Sequence, residues 1–303
     1  MENIYDLAIL GAGPAGICAA IYATRAKLNT IWLDKKFVQG GQIVDTYEVD
    51  NYPGLPGITG LDLGEAMAGH AAKLGMKPQR ETVRSIEAEQ GIKVIRTKKN
   101  EYRARAVIIA CGATHRHLGI PGEEELSGMG VSYCATCDAA FFQDRTVVVV
   151  GGGNVAVEDA ILLSRTCKKV YLVHRRDELR AEKILQESLF ACKNVELIWD
   201  SIPLSIEGMD KVEALKIRNK KTQEESFIET DGVFIAVGIV PGTEKFKDLV
   251  KLDEAGYIVA GITSEPGIFA AGDIRTKNLR QVVTAVADGA NAVASAQRYL
   301  LDK

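Results

Sequence analysis

The chain has 303 residues, which is enough for two domains of ordinary size, each with its own hydrophobic core. Its net charge of −3 gives no electrostatic basis for binding nucleic acid or an anionic membrane surface. No apolar stretch approaches the roughly 18 residues that a membrane span needs. The N-terminus shows no basic segment followed by an apolar one, so no secretory signal is visible and we expect a cytoplasmic protein.

The first predicted elements are a strand over 7–10, a glycine-rich turn and a helix that begins at once. The turn, Gly11-Ala-Gly13-Pro-Ala-Gly16, is called the first glycine loop below. Glycines with this spacing allow a tight turn and the close approach of a pyrophosphate, and the helix N-terminus supplies N–H donors. This context predicts a dinucleotide-binding βαβ unit. The alternative is a glycine turn that binds nothing.

The next strand ends at Asp34. A carboxylate at this position accepts hydrogen bonds from ribose hydroxyls and repels a 2′-phosphate. The first unit therefore favours a nucleotide with a free adenosine ribose, such as FAD.

Cys134 and Cys137, called the redox pair below, are the closest two of six cysteines. In a reducing compartment such a pair is typically catalytic or metal-binding, and its spacing permits a disulfide. A helix beginning near Cys137 would lower the pKa of a thiolate, and Asp138 would act as a local acid or base. A zinc site needs further ligands, and His115 and His117 offer no paired site. A structural disulfide would close too short a loop to constrain the unfolded chain.

The βαβ pattern occurs a second time at an offset of 140 residues, so that Gly11 matches Gly151 and Gly13 matches Gly153. Ala156 stands where the first copy has Gly16, and residues 151–156 are called the second glycine loop. Two copies of the unit predict two nucleotide sites.

The second copy has His174-Arg175-Arg176 where the first has Asp34, and Arg180 follows four residues later. Residues 174–180 are called the arginine loop. Arginines here would neutralise a 2′-phosphate and donate forked hydrogen bonds to it, so the second unit favours NADPH. The alternative is a solvated start of a helix.

Two strand patterns, AVIIACG (106–112) and GVFIAVG (232–238), would each complete the sheet of one unit. A strand at 267–271 and a helix at about 281–301 follow, and they are too short for a third domain. We therefore predict an α/β protein with two Rossmann-like three-layer domains, the second inserted into the first. Residues 1–113 and 242–303 would form the FAD-binding domain, and residues 114–241 the NADPH-binding domain that carries the redox pair.

These motifs together resemble the low-molecular-weight thioredoxin reductases of bacteria over essentially the whole chain. The matching segments are GAGPAG (11–16), GGQ (40–42), TYEVDNYPG (46–54), CATCD (134–138), GGGNVAVE (151–158), HRRDELRA (174–181) and AAGD (270–273). The chain departs from the usual pattern at Asp34, where glutamate is frequent, at Ala139, where glycine is, and at Val282, where alanine is. None of these changes removes a required chemical group.

The resemblance implies which residues bind the two cofactors. For FAD they are Gly11, Gly13, Pro14, Ala15, Gly16, Asp34, Lys35, Gly40, Gly41, Gln42, Thr46, Asn51, Asp273, Arg280 and Gln281. For NADPH they are Gly151, Gly153, Asn154, His174, Arg175, Arg176 and Arg180.

The resemblance also implies the reaction. Electrons would pass from NADPH through FAD to the redox pair, with Cys137 facing the flavin, Cys134 attacking the disulfide of thioredoxin and Asp138 managing protons. A rotation of the second domain would let both the dithiol and the nicotinamide reach the flavin. A homodimer is implied as well. The competing interpretations are a related flavoprotein that reduces another disulfide or oxidises dithiols, and a nucleotide-binding sensor without enzymatic activity.

Overall fold

A computed structural model describes residues 4–46 and 49–302 and divides the chain into two compact units. Unit 1 comprises Met1–Thr114 and Val240–Lys303, and unit 2 comprises His115–Ile239. The bounds expected from the sequence lie one and two residues away from these. Which nucleotide each unit binds stays a prediction.

The helices and strands fall into three groups along the chain. Before the first boundary lie β1 (Ile4–Leu10), α1 (Pro14–Arg25), β2 (Thr30–Asp34), α2 (Gly60–Lys73), β3 (Gln79–Arg80), β4 (Val83–Glu89), β5 (Ile92–Thr97), β6 (Glu101–Ile109) and, across it, β7 (Ala113–His115). Unit 2 contains β8 (Val131–Ser132), α3 (Ala135–Asp138), β9 (Thr146–Gly151), α4 (Asn154–Leu163), β10 (Lys169–Val173), α5 (Lys183–Phe190), β11 (Val195–Ile198), β12 (Ser201–Glu207), β13 (Ala214–Asn219), β14 (Glu225–Glu229) and β15 (Gly232–Ala236). The chain ends with β16 (Ile239–Pro241), β17 (Ile268–Ala270) and α6 (Val282–Leu301).

The sheet of unit 1 has the order β3-β2-β1-β6, with antiparallel β5 and β4 beyond it. The first half of β6 pairs with β5, and its second half pairs in parallel with β17. Because β1, β2 and β6 are parallel, Leu10 lies beside both Leu33 and Ile109. The first glycine loop and Asp34 therefore leave the sheet at the same edge, where nucleotides bind in folds of this kind.

Helices α1 and α6 pack closely in unit 1 because small residues line both of them. A Cβ atom added at Gly289 in α6 would lie 2.2 Å from the carbonyl oxygen of Ala15 in α1. Ala19 and Ala20 of α1 and Ala296 of α6 are fully buried in the same core. This close approach fixes the N-terminus of α1 beneath the C-terminal segment of the chain.

Unit 2 has a parallel sheet of order β11-β10-β9-β15-β8. Its helices cover one face, where Ala156 and Leu189 are buried, and the antiparallel sheet β12-β13-β14 covers the other, where Leu215 is buried. The three layers confirm the predicted α/β fold class. Here too the parallel register brings the second glycine loop and His174 to one edge, since Val150 lies beside Val173.

Some local expectations differ from the structure. The glycines and prolines of 112–128 predict a loop, but this region contains β7, which is too short to leave a pattern in the sequence and pairs with β16. The apolar surroundings of the single cysteines predict burial, which holds for Cys18 and Cys167, whereas Cys111 is exposed and Cys192 is partly exposed.

Candidate active site

The first glycine loop contains glycines of two kinds. Gly11 has φ of +109°, and a Cβ there would lie 2.3 Å from the carbonyl oxygen of Ala110. A Cβ at Gly16 would lie 1.9 Å from the carbonyl oxygen of Gly11, so the fold itself requires both glycines. At Gly13, by contrast, the nearest protein atom would be 3.7 Å away, at Gly41. The protein leaves open at Gly13 the space that a pyrophosphate would need.

Pro14 is the first residue of α1, where its missing N–H costs nothing, and Ala15 after it is buried. Asp34 lies beside this loop at the end of β2. One oxygen of its carboxylate accepts a hydrogen bond of 2.6 Å from the backbone N–H of Ala12, and the other accepts one of 2.5 Å from the N–H of Lys36. Asp34 therefore ties the glycine loop to β2, and its remaining lone pairs stay available to a ribose.

The segment after β2 folds back onto the first glycine loop. The N–H of Gly40 donates a hydrogen bond of 2.7 Å to the carbonyl oxygen of Ala12. Gly40 and Gly41 have φ of +118° and +71°, which favours glycine at both positions. Lys35 is exposed. Gln42 and Thr46 flank the short 3₁₀ helix Ile43–Asp45, whereas Tyr47 and Glu48 of the same motif lie outside the described residues.

The C-terminal segment of unit 1 meets this region at Asn51, whose side-chain amide donates a 3.0 Å hydrogen bond to the side-chain oxygen of Gln281. Gln281 is the N-cap of α6. The guanidinium of Arg280 lies 4.0 Å from the centre of the Tyr257 ring, a cation–π contact. The predicted residues at 51, 280 and 281 are thus brought together, although 230 positions separate Asn51 from Gln281.

Asp273 has one buried carboxylate oxygen, Oδ1, that accepts no hydrogen bond from any described residue. The ammonium of Lys277 lies 3.8 Å from this oxygen and 2.8 Å from Asp288. Burial raises the pKa of Asp273, while Lys277 and Arg280 lower it. A buried acceptor without a donor calls for a ligand hydroxyl or water. This fits the flavin-side role that the resemblance implies, whereas no sequence motif pointed to Lys277 or Asp288.

The second glycine loop repeats the arrangement of the first. A Cβ at Gly151 would lie 2.5 Å from Ala156 and from the carbonyl oxygen of Ala236, so the fold requires this glycine. At Gly153 a Cβ would meet nothing within 4 Å, which again leaves space for a ligand. Asn154 begins α4, and its side-chain oxygen accepts a 2.9 Å hydrogen bond from the N–H of Glu182.

The arginine loop begins with a buried residue and continues with exposed ones. The ring of His174 packs against Gly152, where a Cβ would lie 2.2 Å from it, and burial lowers the pKa of His174. Arg175, Arg176 and Arg180 are exposed, and none of them forms an ion pair with another described residue. Three uncompensated cations at one sheet edge would attract an anion.

The redox pair is joined as a disulfide, with the two Cα atoms 5.3 Å apart. The helix that carries it, α3, begins at Ala135, two residues before Cys137, and Cys134 is its N-cap. The N–H of Cys137 donates a 3.2 Å hydrogen bond to Sγ of Cys134. An N–H donor at this sulfur stabilises a thiolate on Cys134 when the disulfide is reduced.

Asp138 follows the redox pair and is held by Ser132, a residue that no sequence motif indicated. The hydroxyl of Ser132 donates a 2.5 Å hydrogen bond to the Asp138 carboxylate and accepts one of 3.1 Å from the N–H of Cys134. Burial raises the pKa of Asp138, and the hydrogen bond from Ser132 partly offsets that effect. A carboxyl group with a raised pKa beside a dithiol is suited to carry a proton.

The structure also bears on membrane spans and metal sites. Across residues 4–46 and 49–302, no helix is both long enough and apolar enough to span a membrane. Among the same residues, His, Cys, Asp and Glu side chains nowhere gather in a group that would hold a metal ion.

The chain is similar to known proteins over almost its whole length. The family model described as pyridine nucleotide-disulphide oxidoreductase matches residues 5–289. A thioredoxin reductase from Peptoclostridium acidaminophilum is 48% identical and aligns over 99% of this chain and 98% of its own length. One from Bacillus subtilis is 46% identical over 99% of this chain and 96% of its own.

A solved thioredoxin reductase from Streptococcus pyogenes has 45% identity, covers 100% of both chains and superposes with a TM-score of 0.95. Similarity of this extent, in sequence and in backbone, shows that the chain belongs to the pyridine nucleotide-disulphide oxidoreductase family, among its thioredoxin reductases of low molecular weight.

Proposed function

We propose that the chain is an NADPH-dependent thioredoxin-disulfide reductase that uses FAD. One observation carries the proposal: the chain has a redox pair, Cys134 and Cys137, and two glycine loops of the dinucleotide-binding type. The residues beside these loops that distinguish FAD from NADPH have opposite charges. Asp34 marks the first loop, and the arginine loop marks the second. The relatives named above support thioredoxin as the substrate.

Unit 1 would hold FAD, and unit 2 would hold NADPH. The first glycine loop and the N-terminus of α1 would bind the FAD pyrophosphate. Oδ1 of Asp273, which accepts no hydrogen bond from a described residue, would accept one from a hydroxyl of FAD. The second glycine loop would bind the NADPH pyrophosphate, and the arginine loop its 2′-phosphate. When bound, these cofactors supply the hydride chemistry and the two electrons that reduce the redox pair.

The redox pair would carry out thiol–disulfide exchange with thioredoxin. The Cys134 thiolate attacks one sulfur of the thioredoxin disulfide, forms a mixed disulfide and releases a thioredoxin thiolate. The Cys137 thiolate then attacks Sγ of Cys134, re-forms the Cys134–Cys137 disulfide and releases the second thiolate. Asp138 would give and take the protons that these thiolates exchange.

We also propose a cytoplasmic location and a homodimeric assembly. The four cysteines outside the redox pair are unpaired, which suits a reducing compartment. The dimer rests on the family resemblance, and sedimentation of the purified protein tests it.

An absorbance experiment tests the proposed function. The purified protein should be yellow, NADPH should bleach the flavin without air, and added thioredoxin should restore the colour. Cys134→Ser should abolish thioredoxin reduction while FAD stays bound and NADPH still bleaches it. A second variant, Cys192→Ser, removes a thiol outside the redox pair and should retain full activity.

The competing interpretations predict other outcomes. A dithiol oxidase would fail to be bleached by NADPH and would be reduced by small-molecule thiols instead. A nucleotide-binding sensor would bind NADPH without turnover on a disulfide dye. A colourless preparation with no bound flavin would overturn the proposal altogether.

A further inference from the structure

We propose that Lys220 is a further specificity-determining residue for NADPH and acts beside Arg175, Arg176 and Arg180 on the 2′-phosphate. The inference rests on the proposed role of the arginine loop. It adds a residue that lies 45 positions away from Arg175 in the chain.

The turn between β13 and β14 is tied to the arginine loop by backbone hydrogen bonds through Asp200. The N–H of Asp200 donates a 3.2 Å hydrogen bond to the carbonyl oxygen of Arg176. The N–H of Lys220 donates one of 2.6 Å to the carbonyl oxygen of Asp200. Asp200 therefore links the two segments and sets the position of the Lys220 backbone relative to the arginines.

The turn that carries Lys220 is itself well defined. The side-chain oxygen of Asn219 accepts hydrogen bonds from the N–H groups of Lys221, at 2.9 Å, and Thr222, at 3.1 Å. The N–H of Gln223 closes the turn with a 2.9 Å hydrogen bond to the carbonyl oxygen of Asn219. A turn held by three internal hydrogen bonds presents its lysines from a fixed base.

The two lysines of this turn differ in how their charges are compensated. The ammonium of Lys221 lies 3.1 Å from Asp177 and 2.8 Å from Asp200, so two carboxylates neutralise it. The ammonium of Lys220 reaches the carbonyl oxygen of Arg175 at 3.5 Å and forms no ion pair with any described carboxylate. Lys220 therefore adds an uncompensated positive charge at the arginine loop, whereas Lys221 holds the loop in place.

Like charges at one surface repel each other, so a fourth uncompensated cation beside three others is unfavourable. No contact among the described residues of unit 2 explains why Lys220 lies there. A 2′-phosphate carries close to two negative charges and would offset that repulsion. Lysine binds phosphate as a point charge on a flexible stem, so Lys220 needs no bidentate geometry to contribute. NADH lacks the phosphate, and the contribution is therefore specific to NADPH.

The test compares 2′-phospho-AMP with AMP, and NADPH with NADH, as ligands of the holoenzyme. Lys220→Met should weaken binding of 2′-phospho-AMP and NADPH about fivefold, the size of one exposed charge pair, and leave AMP and NADH unchanged. Lys220→Arg keeps the charge and should bind all four ligands as the wild type does. Lys168→Met is the matched control and should leave the binding of all four ligands unchanged. Lys168 lies directly before β10, whereas the arginine loop follows the other end of that strand.

The possible outcomes separate the inference from the proposed function. If the wild type prefers 2′-phospho-AMP to AMP and Lys220→Met keeps that preference in full, the inference on Lys220 is wrong. Equal weakening of NADPH and NADH in Lys220→Met would also overturn it. A wild type with no preference between 2′-phospho-AMP and AMP would instead remove the NADPH assignment of unit 2.

Discussion

The hydroxyl of Ser132 donates a 2.5 Å hydrogen bond to the carboxylate of Asp138 beside the redox pair. This bond lowers the pKa of Asp138 against the stronger effect of burial, which raises it. Ser132 also accepts the N–H of Cys134, so one hydroxyl connects the first cysteine with the acid. The pH range over which Asp138 can donate a proton therefore depends on Ser132.

Ser132→Ala is expected to raise the pKa of Asp138 further. Since an acid donates only below its pKa, the decline of thioredoxin reduction at alkaline pH should move to higher pH. Asp138→Asn should abolish that dependence and slow thioredoxin reduction about 100-fold. The check is the pH profile of steady-state turnover, with Ser132→Thr as the control that keeps the hydroxyl. An unchanged pH profile in Ser132→Ala would contradict the role of Asp138 in proton transfer.

Gly13→Ala is expected to weaken FAD binding, whereas Gly16→Ala is expected to destabilise the fold. A Cβ at Gly13 meets no protein atom within 3.7 Å, so the variant should fold normally but bind FAD at least about tenfold more weakly. A Cβ at Gly16 lies 1.9 Å from the carbonyl oxygen of Gly11, which should destabilise unit 1 by about 3 kcal/mol. Urea unfolding of the flavin-free proteins and fluorescence titration with FAD distinguish the two effects. Normal FAD affinity in Gly13→Ala would contradict the proposal that the first glycine loop binds the FAD pyrophosphate.

Asp159→Asn is expected to stabilise the protein most at alkaline pH. Burial, with a smaller contribution from Glu158, raises the pKa of Asp159 from 3.8 to about 7. The pKa is higher in the folded state than in the unfolded one. The protonated Asp159 side chain therefore makes its full contribution to the free energy of unfolding below pH 3.8. That contribution is lost as the pH rises through about 7.

The asparagine stays neutral, so it should raise the free energy of unfolding by about 1–3 kcal/mol at alkaline pH. The gain should be smaller under acidic conditions. Urea unfolding midpoints on either side of the shifted pKa measure the difference. A gain of equal size at both would show that Asp159 is charged in neither condition or in both.

Ala260→Gly is expected to stabilise unit 1. Ala260 is exposed and has φ of +66°, a left-handed conformation that costs a residue with a Cβ atom about 1–2 kcal/mol. Glycine relieves the strain but loses more entropy on folding, so the net gain should be about 0.5–1 kcal/mol. Thermal unfolding of the variant and of Ala255→Gly, a neighbouring exposed alanine without a positive φ, tests it. A loss of stability in Ala260→Gly would contradict the strain argument.

The site as a whole was predictable wherever its chemistry depends on short spacings. The first glycine loop, Asp34 and the arginine loop follow directly from strands, because a parallel sheet brings the carboxyl ends of its strands to one edge. The redox pair was predictable because only two residues separate Cys134 from Cys137. Spacing did not reveal where α3 begins, since Cys134 rather than a polar residue caps it.

The amino-acid sequence by itself determined the two βαβ units, their contrasting charges and the cysteine pair, because each is encoded within about 30 residues of chain. Only the tertiary structure decided which distant residues complete them: Asn51 with Gln281, and Lys220 with the arginine loop. Hydrogen bonds and ion pairs act over a few ångströms in space. Contacts across many residues therefore depend on the path of the chain, which no local pattern records.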